Sequence, residues 1–195
     1  MRAARLADWL GVTPATVAVA VRKIAQDGLI AIAPTKTISL THSGRAAAAR
    51  VVRTHRIAER WLTDVVGMDW AQADEEAAAL EHAISDDLAE RLFEMIGRPN
   101  TCPHGNPIPG TTRKAPPERA LSSLALGARA RVSRISEVAE HEAPELLRFL
   151  ADHGLLIGVE LEVLDVSLGA GTQTVLAGAR TVVMSSEVAR KIWVE

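Results

Sequence analysis

The stretch from His55 to His82, HRIAERWLTDVVGMDWAQADEEAAALEH, restricts what this chain can become more than any other. It reads as two helical patterns hinged at Gly67. The first carries His55 and Glu59 at i, i+4, which places an imidazole and a carboxylate on one face of one helix. The second carries Asp74, Ala78 and His82 in an i, i+4, i+8 row, with Glu81 beside it. Carboxylates and imidazoles on facing helices near one hinge are how an all-helical layer builds a site for a divalent metal. An arbitrary His/Glu pair on a helix is more often a solvated surface pair that contributes little. The surroundings decide between the two readings.

Charge is distributed unevenly around this stretch. Residues 1–56 hold nine Lys/Arg against Asp8 and Asp27, a balance of +7, so the overall −2 leaves −9 for the remainder. A basic N-terminal part on an acidic body points to a polyanion partner at one end. With 48% hydrophobic content over 195 residues the chain can bury one or two modest cores, and two compact units are expected. It has no apolar run of about eighteen residues and no signal-peptide pattern, so the expectation is a soluble, cytoplasmic protein with no membrane partner. Cys102 is the only cysteine, which excludes an intramolecular disulfide and fits a reducing compartment.

The basic part has a recognisable plan. A short helix from Arg2 to Leu10 carries Leu6, Trp9 and Leu10 on one face, and a tight turn at Gly11–Thr13 follows. Thr13 is a good N-cap and Pro14 fits the first helical position, so a second helix should run to about Asp27 and stop at Gly28. Helix, Gly-containing turn, helix is the helix-turn-helix signature. Leu29–Ala33 and Thr37–Leu40 flank Pro34-Thr-Lys36 as a hairpin, the wing. Arg5, Arg22, Lys23 and Lys36 are the expected phosphate contacts, together with the exposed N–H groups around Thr13–Thr16. Ala15, Thr16, Ala18 and Val19 face outwards with no Arg, Asn or Gln until Arg22, so direct base hydrogen bonds are scarce. Small side chains there can touch thymine methyls, and recognition should lean on DNA shape.

An alanine- and arginine-rich helix from Arg45 to about Val65 joins this part to the His/Glu block, and at 1.5 Å per residue its length of about 30 Å makes it a rigid rod. His42 before it reads as a surface residue. Asp69 or Ala71 opens the next helix, and Ser85 to Ile96 gives a third amphipathic pattern ending at Gly97. Cys102-Pro-His104 lies in a Pro/Gly/Asn-rich loop; two such residues alone are poorly placed for one ion, and the loop reads as a rigid turn. TTRKAPPERA at 111–120 is the natural boundary. Beyond it the period changes to strands at Ala128–Ile135, Val159–Val166, Gln173–Leu176 and Thr181–Met184, with a helix at Pro144–His153.

The block HRIAERWLTDVVG at 55–67, the pair Glu81-His82 followed by Ile84, Ser85 and Asp86, and the loop CPHGNPIPG at 102–110 together resemble the DtxR-type metal-dependent transcriptional repressors, bacterial iron and manganese sensors. The likeness runs from about Leu6 to Gly110. It implies an α+β protein with an N-terminal winged helix-turn-helix at 1–44, a central helical metal-binding and dimerisation domain at 45–110, a linker at 111–121 and a C-terminal SH3-like (FeoA-type) β-barrel at 122–195. It also implies a homodimer on double-stranded operator DNA, with Fe²⁺ or Mn²⁺ as corepressor in control of iron or manganese homeostasis genes.

Carried over residue by residue, the resemblance gives one ligand set of His55, Glu59, Asp74 (usually His), Glu142 and Glu145, the last two in a Glu-x-x-Glu where the family has Glu-x-x-Gln. That set is hard and oxygen-rich, suited to Mn²⁺ or Fe²⁺. A second set keeps Glu81 and His82, but Ala78 stands where the family has a ligand. The remaining ligand belongs to an N-terminal helix that the chain as given lacks, so an upstream start with twenty-odd more residues is one expectation and a vestigial second site is the other. Two rival functions stand beside the metal-dependent one: a DNA-binding regulator that has lost metal control, which Ala78 favours, and a metallohydrolase. For an enzyme the sequence offers no nucleophile, phosphate loop or proton relay, so no catalytic residue is assigned.

Overall fold

The computed structural model describes residues 2–112, 117–136 and 144–195. The chain folds as two compact units, Met1–Val52 and Arg53–Glu195. No helix among the described residues is long and apolar enough to cross a membrane.

In the first unit, helix α1 (Ala3–Leu10) ends on Gly11, whose φ of 62° places it in the left-handed region that closes a helix. Thr13 then caps α2 (Pro14–Gln26): its hydroxyl accepts from the Thr16 N–H at 3.2 Å, and Pro14 takes the first helical position. Strands β1 (Ile30–Ile32) and β2 (Ile38–Leu40) pair antiparallel, with Lys36 at φ 60° in the connecting turn. Ala7 and Val17 are the buried apolar residues here, while Trp9 and Leu10 remain 42% and 46% exposed. The element order is that of a winged helix-turn-helix.

Helix α3 (His42–Asp64) starts three residues before the expected Arg45 and runs through Gly44. Gly44 sits at a close approach: a Cβ there would lie 1.8 Å from the Leu29 carbonyl oxygen. The position therefore requires glycine. The Thr41 hydroxyl accepts from the Gly44 N–H at 3.0 Å and donates to the Gly28 carbonyl at 2.7 Å, fixing the helix start to the end of α2.

In the second unit, α4 (Trp70–Leu80) is capped by Asp69 and α5 (Asp86–Met95) by Ser85, with Asp86 and Asp87 favourably placed at the positive end of the α5 dipole. Two small apolar clusters hold the helices together. Ala58 and Leu62 of α3 meet Ala73 and Ala77 of α4, and Ile57 meets Leu92, Phe93 and Ile108.

The C-terminal part is a six-stranded antiparallel sheet of SH3-like fold in the order β3-β8-β4-β5-β6-β7. Its strands are β3 (Arg119–Ala120), β4 (Arg129–Ile135), β5 (Glu160–Ser167), β6 (Thr172–Ala177), β7 (Arg180–Ser185) and β8 (Ile192–Val194). Helices α6 (Pro144–Asp152) and α7 (Ser186–Lys191) complete it. Its core includes Leu121, Val132, Ile135, Leu147, Leu150, Val163 and Val175, and also Trp70 and Ala71 from α4. The Trp70 indole N–H donates to the Leu147 carbonyl at 3.0 Å. Helical layer and barrel therefore share one core.

Candidate metal centre

Helix α3 places His55 and Glu59 one turn apart, and α4, packed on it through small alanines, brings up Asp74. His55 Nε2 lies 3.8 Å from Glu59 Oε2 and 3.3 Å from Asp74 Oδ1. One ligand atom from each of the three lies within 4.8 Å of the others. Glu59 is 1% exposed, so its carboxylate sits in a low-dielectric surround where only cationic or hydrogen-bonding neighbours make burial tolerable. Two carboxylates and an imidazole converging in this way fit a hard or borderline divalent cation such as Mn²⁺ or Fe²⁺.

The other ring nitrogen of His55 faces away from this group. Nδ1 lies 3.0 Å from Glu81 Oε2, so Glu81 orients the ring and leaves Nε2 towards Glu59 and Asp74. Burial is the largest single influence on the His55 pKa and pushes it down. The Asp74 hydrogen bond and the charges of Glu59, Asp74 and Glu81 together outweigh it, raising the value from 6.5 to about 9. With the folded-state pKa raised, the metal-free protein holds this contribution to stability in full below pH 6.5 and loses it as the pH rises through about 9. A cation has to displace the same proton, so metal affinity measured by calorimetry should increase with pH across that interval. An affinity independent of pH there would separate His55 from the metal.

Glu81 and His82, the expected second set, are in neither group of convergent ligand atoms found among the described residues. Helix α4 ends at Leu80, and Glu81 and His82 lie in the turn that follows it. The turn lets Ile84 fold back among Leu92, Phe93 and the α3–α4 alanines. The His82 side chain is 77% exposed, 3.5 Å from Glu81 Oε1, and Glu81 reaches to His55 on its other side. Glu142 lies outside the described residues. Glu145 is exposed in the first turn of α6 and belongs to neither group of convergent ligand atoms found among the described residues.

Two residues that the sequence reading set aside as a rigid turn arrive beside Glu59 instead. His104 Nδ1 is 2.8 Å from Glu59 Oε1, and Cys102 Sγ lies within 4.8 Å of both side chains' ligand atoms; all three residues are buried. The Pro/Gly/Asn content did announce a fixed backbone. Which helix it would reach was not legible from composition.

Of the residues expected to meet DNA, Thr13 serves as the α2 cap, and Ala15, Thr16, Val19, Arg22 and Lys23 are exposed along α2, Val19 at 66%. Arg5 is exposed on α1 and Lys36 at the wing turn. Arg22 and Lys36 line one groove, together with Arg2 and the apolar side chains of Val21, Ile32 and Ile38.

Residues 41–110 match the family described as iron dependent repressor, metal binding and dimerisation domain, and residues 119–195 match the FeoA domain. The chain is 34% identical over 203 residues to the iron-dependent repressor IdeR of Mycobacterium tuberculosis, a match covering 98% of this chain and 87% of that protein. It is 32% identical over 171 residues to the diphtheria toxin repressor of Corynebacterium diphtheriae, covering 83% of this chain and 75% of that protein. A solved structure of a manganese-dependent transcriptional repressor in complex with manganese superposes with a TM-score of 0.87 at 36% identity, covering 98% of this chain and 89% of the other.

Proposed function

This chain belongs to the DtxR-type family of metal-dependent transcriptional repressors, and from that premise we infer that it represses iron or manganese homeostasis genes with a divalent cation as corepressor. The observation that carries this reading is the convergence of His55, Glu59 and Asp74 in a repressor with a basic winged helix.

Within it we assign cation binding to His55, Glu59 and Asp74, with Glu145 and Glu142 as further carboxylates of the same set. Glu81 orients His55 through Nδ1. His82 stands in solvent and Ala78 offers no donor, so corepressor control falls on the His55 centre. When bound, the cation supplies the positive charge that two or more facing carboxylates need. His55 otherwise meets that need by holding a proton. A cation bound more tightly in the DNA-competent state than in the other shifts the population towards it, which is what a corepressor does.

DNA reading is assigned to the winged helix. The exposed Val19 and Ala15 face of α2 suits thymine methyls, and Arg22, Lys23, Lys36 and Arg5 supply phosphate contacts. A repressor carrying a dimerisation domain and one helix-turn-helix is assigned to a two-fold operator as a homodimer, acting in the cytoplasm without catalysis.

Fluorescence anisotropy of an operator duplex tests the reading. Binding should require Mn²⁺ or Fe²⁺, be reversed by a chelator, and weaken by orders of magnitude between about 50 and 200 mM salt as several Lys/Arg release counterions. Equal binding in chelator would instead identify a regulator without metal control, and a flat salt response would remove the assigned DNA face.

A further inference from the structure

We propose that the junction from Thr41 to Gly44 is the positioning element through which the metal centre orients the DNA-reading helix: it fixes the end of α2 onto the first turn of the helix that carries His55 and Glu59. The inference rests on the corepressor reading above and adds to it the residues that pass the signal to α2.

The junction is short, and polar groups from neighbouring elements meet in it. Strand β2 ends at Leu40 and α3 begins at His42, so Thr41 is the whole connection. The Thr41 hydroxyl donates to the Gly28 carbonyl at 2.7 Å, where α2 has just ended, and accepts from the Gly44 N–H at 3.0 Å. Ser43 Oγ stands 3.1 Å from the same carbonyl and 2.9 Å from Thr41 Oγ1, so its one proton serves either. The next carbonyl, that of Leu29, accepts from the Thr41 N–H at 3.0 Å. It also lies so close to Gly44 that a Cβ there would come within 1.8 Å.

Two consecutive carbonyls at the end of α2 are thus held by the start of α3. Apolar packing is non-directional, and in this unit the buried apolar residues are only Ala7 and Val17 among the described residues. Hydrogen bonds have a preferred direction, so these contacts set the angle at which α2 leaves the junction. From Gly44 the helix runs unbroken to Asp64, and His55 stands about three turns further on, about 16 Å at 1.5 Å per residue. A cation that favours one arrangement of α3 thereby favours one direction of the exposed α2 face.

Fluorescence anisotropy tests the role with an operator duplex selected from random-sequence DNA by the wild-type protein and Mn²⁺. Affinities at saturating Mn²⁺ and in chelator are compared for wild type, Thr41→Val, Thr41→Ser and Ser43→Ala, with Mn²⁺ affinity of the DNA-free proteins recorded by calorimetry. In wild type the ratio of the two operator affinities should lie in the usual range of allosteric coupling, about 5–150-fold. Thr41→Val keeps the shape of the side chain and removes both hydrogen bonds. It should bring the ratio several-fold nearer to one while Mn²⁺ affinity stays within a few-fold of wild type. Thr41→Ser returns the hydroxyl and should restore the ratio. A Thr41→Val protein that loses operator affinity equally with and without Mn²⁺ would overturn the inference, since a merely structural defect in the DNA-binding unit does that. A Thr41→Val protein with an unchanged ratio would overturn it as well, and so would Ser and Val variants with the same reduced ratio. Should Thr41→Val not fold, Ser43→Ala decides: a reduced ratio supports the junction and a ratio equal to wild type overturns it. Wild-type protein with the same operator affinity in Mn²⁺ and in chelator would instead overturn metal control itself.

Discussion

Glu59→Ala is expected to weaken Mn²⁺ or Fe²⁺ binding by about 100-fold or more, beyond the usual effect of losing an outer partner, and to abolish metal-dependent operator binding. Glu59 is the carboxylate that touches both sides of the site, one oxygen towards His55 and one towards His104, at 1% exposure. Alanine removes a ligand and also takes from the buried His104 its anionic neighbour, which for a buried pair costs about 3–5 kcal/mol, while His55 keeps Asp74 and Glu81. Metal-free stability should therefore fall together with affinity. Glu59→Gln keeps the volume and hydrogen-bonding oxygen but not the charge, so it should fold better than the alanine variant while still binding metal weakly. Calorimetric titration and denaturant unfolding read the two effects separately. Wild-type affinity in both variants would move the site away from α3.

Trp70→Ala is expected to destabilise the Arg53–Glu195 unit by about 3–5 kcal/mol, read as a lower urea midpoint. Trp70 is 7% exposed, lies in one cluster with Leu146, Leu147 and Leu150, and donates to the Leu147 carbonyl. Removing it opens a cavity where α4 meets the barrel and leaves that carbonyl without its indole donor. Trp70→Phe keeps most of the apolar volume and should lose mainly the hydrogen bond, about 1 kcal/mol. The metal centre should respond too, because Asp74 lies one turn further along the same helix. A Trp70→Ala variant with wild-type stability would mean that helical layer and barrel do not depend on this contact.

The winged helix was legible because its determinants are local. Thr13, Pro14 and Gly11 specify a cap, a first turn and a helix end through their own backbone preferences, and β1 and β2 follow from short β-branched runs around a turn. The same holds for most barrel strands, where alternation marks the buried face, although β3, β8 and α7 are too short to have shown a period. His55 and Glu59 could be read as one face of one helix for the same reason, and the family likeness supplied Asp74 as their companion.

The sequence by itself determined which elements form and which polar side chains share a helical face, since propensity, capping and period act over a few residues. Tertiary structure alone decided the rest. Position 44 inside α3 has to be glycine because the Leu29 carbonyl leaves no room for a Cβ. His82 stands exposed beyond the end of α4, while Glu81 reaches His55 and Ile84 packs against α3 and α5. His104 meets Glu59 because β4 fixes a loop some forty-five positions away along the chain. Each of these depends on backbone from a distant segment arriving at a particular place, and periodicity carries no information about that meeting.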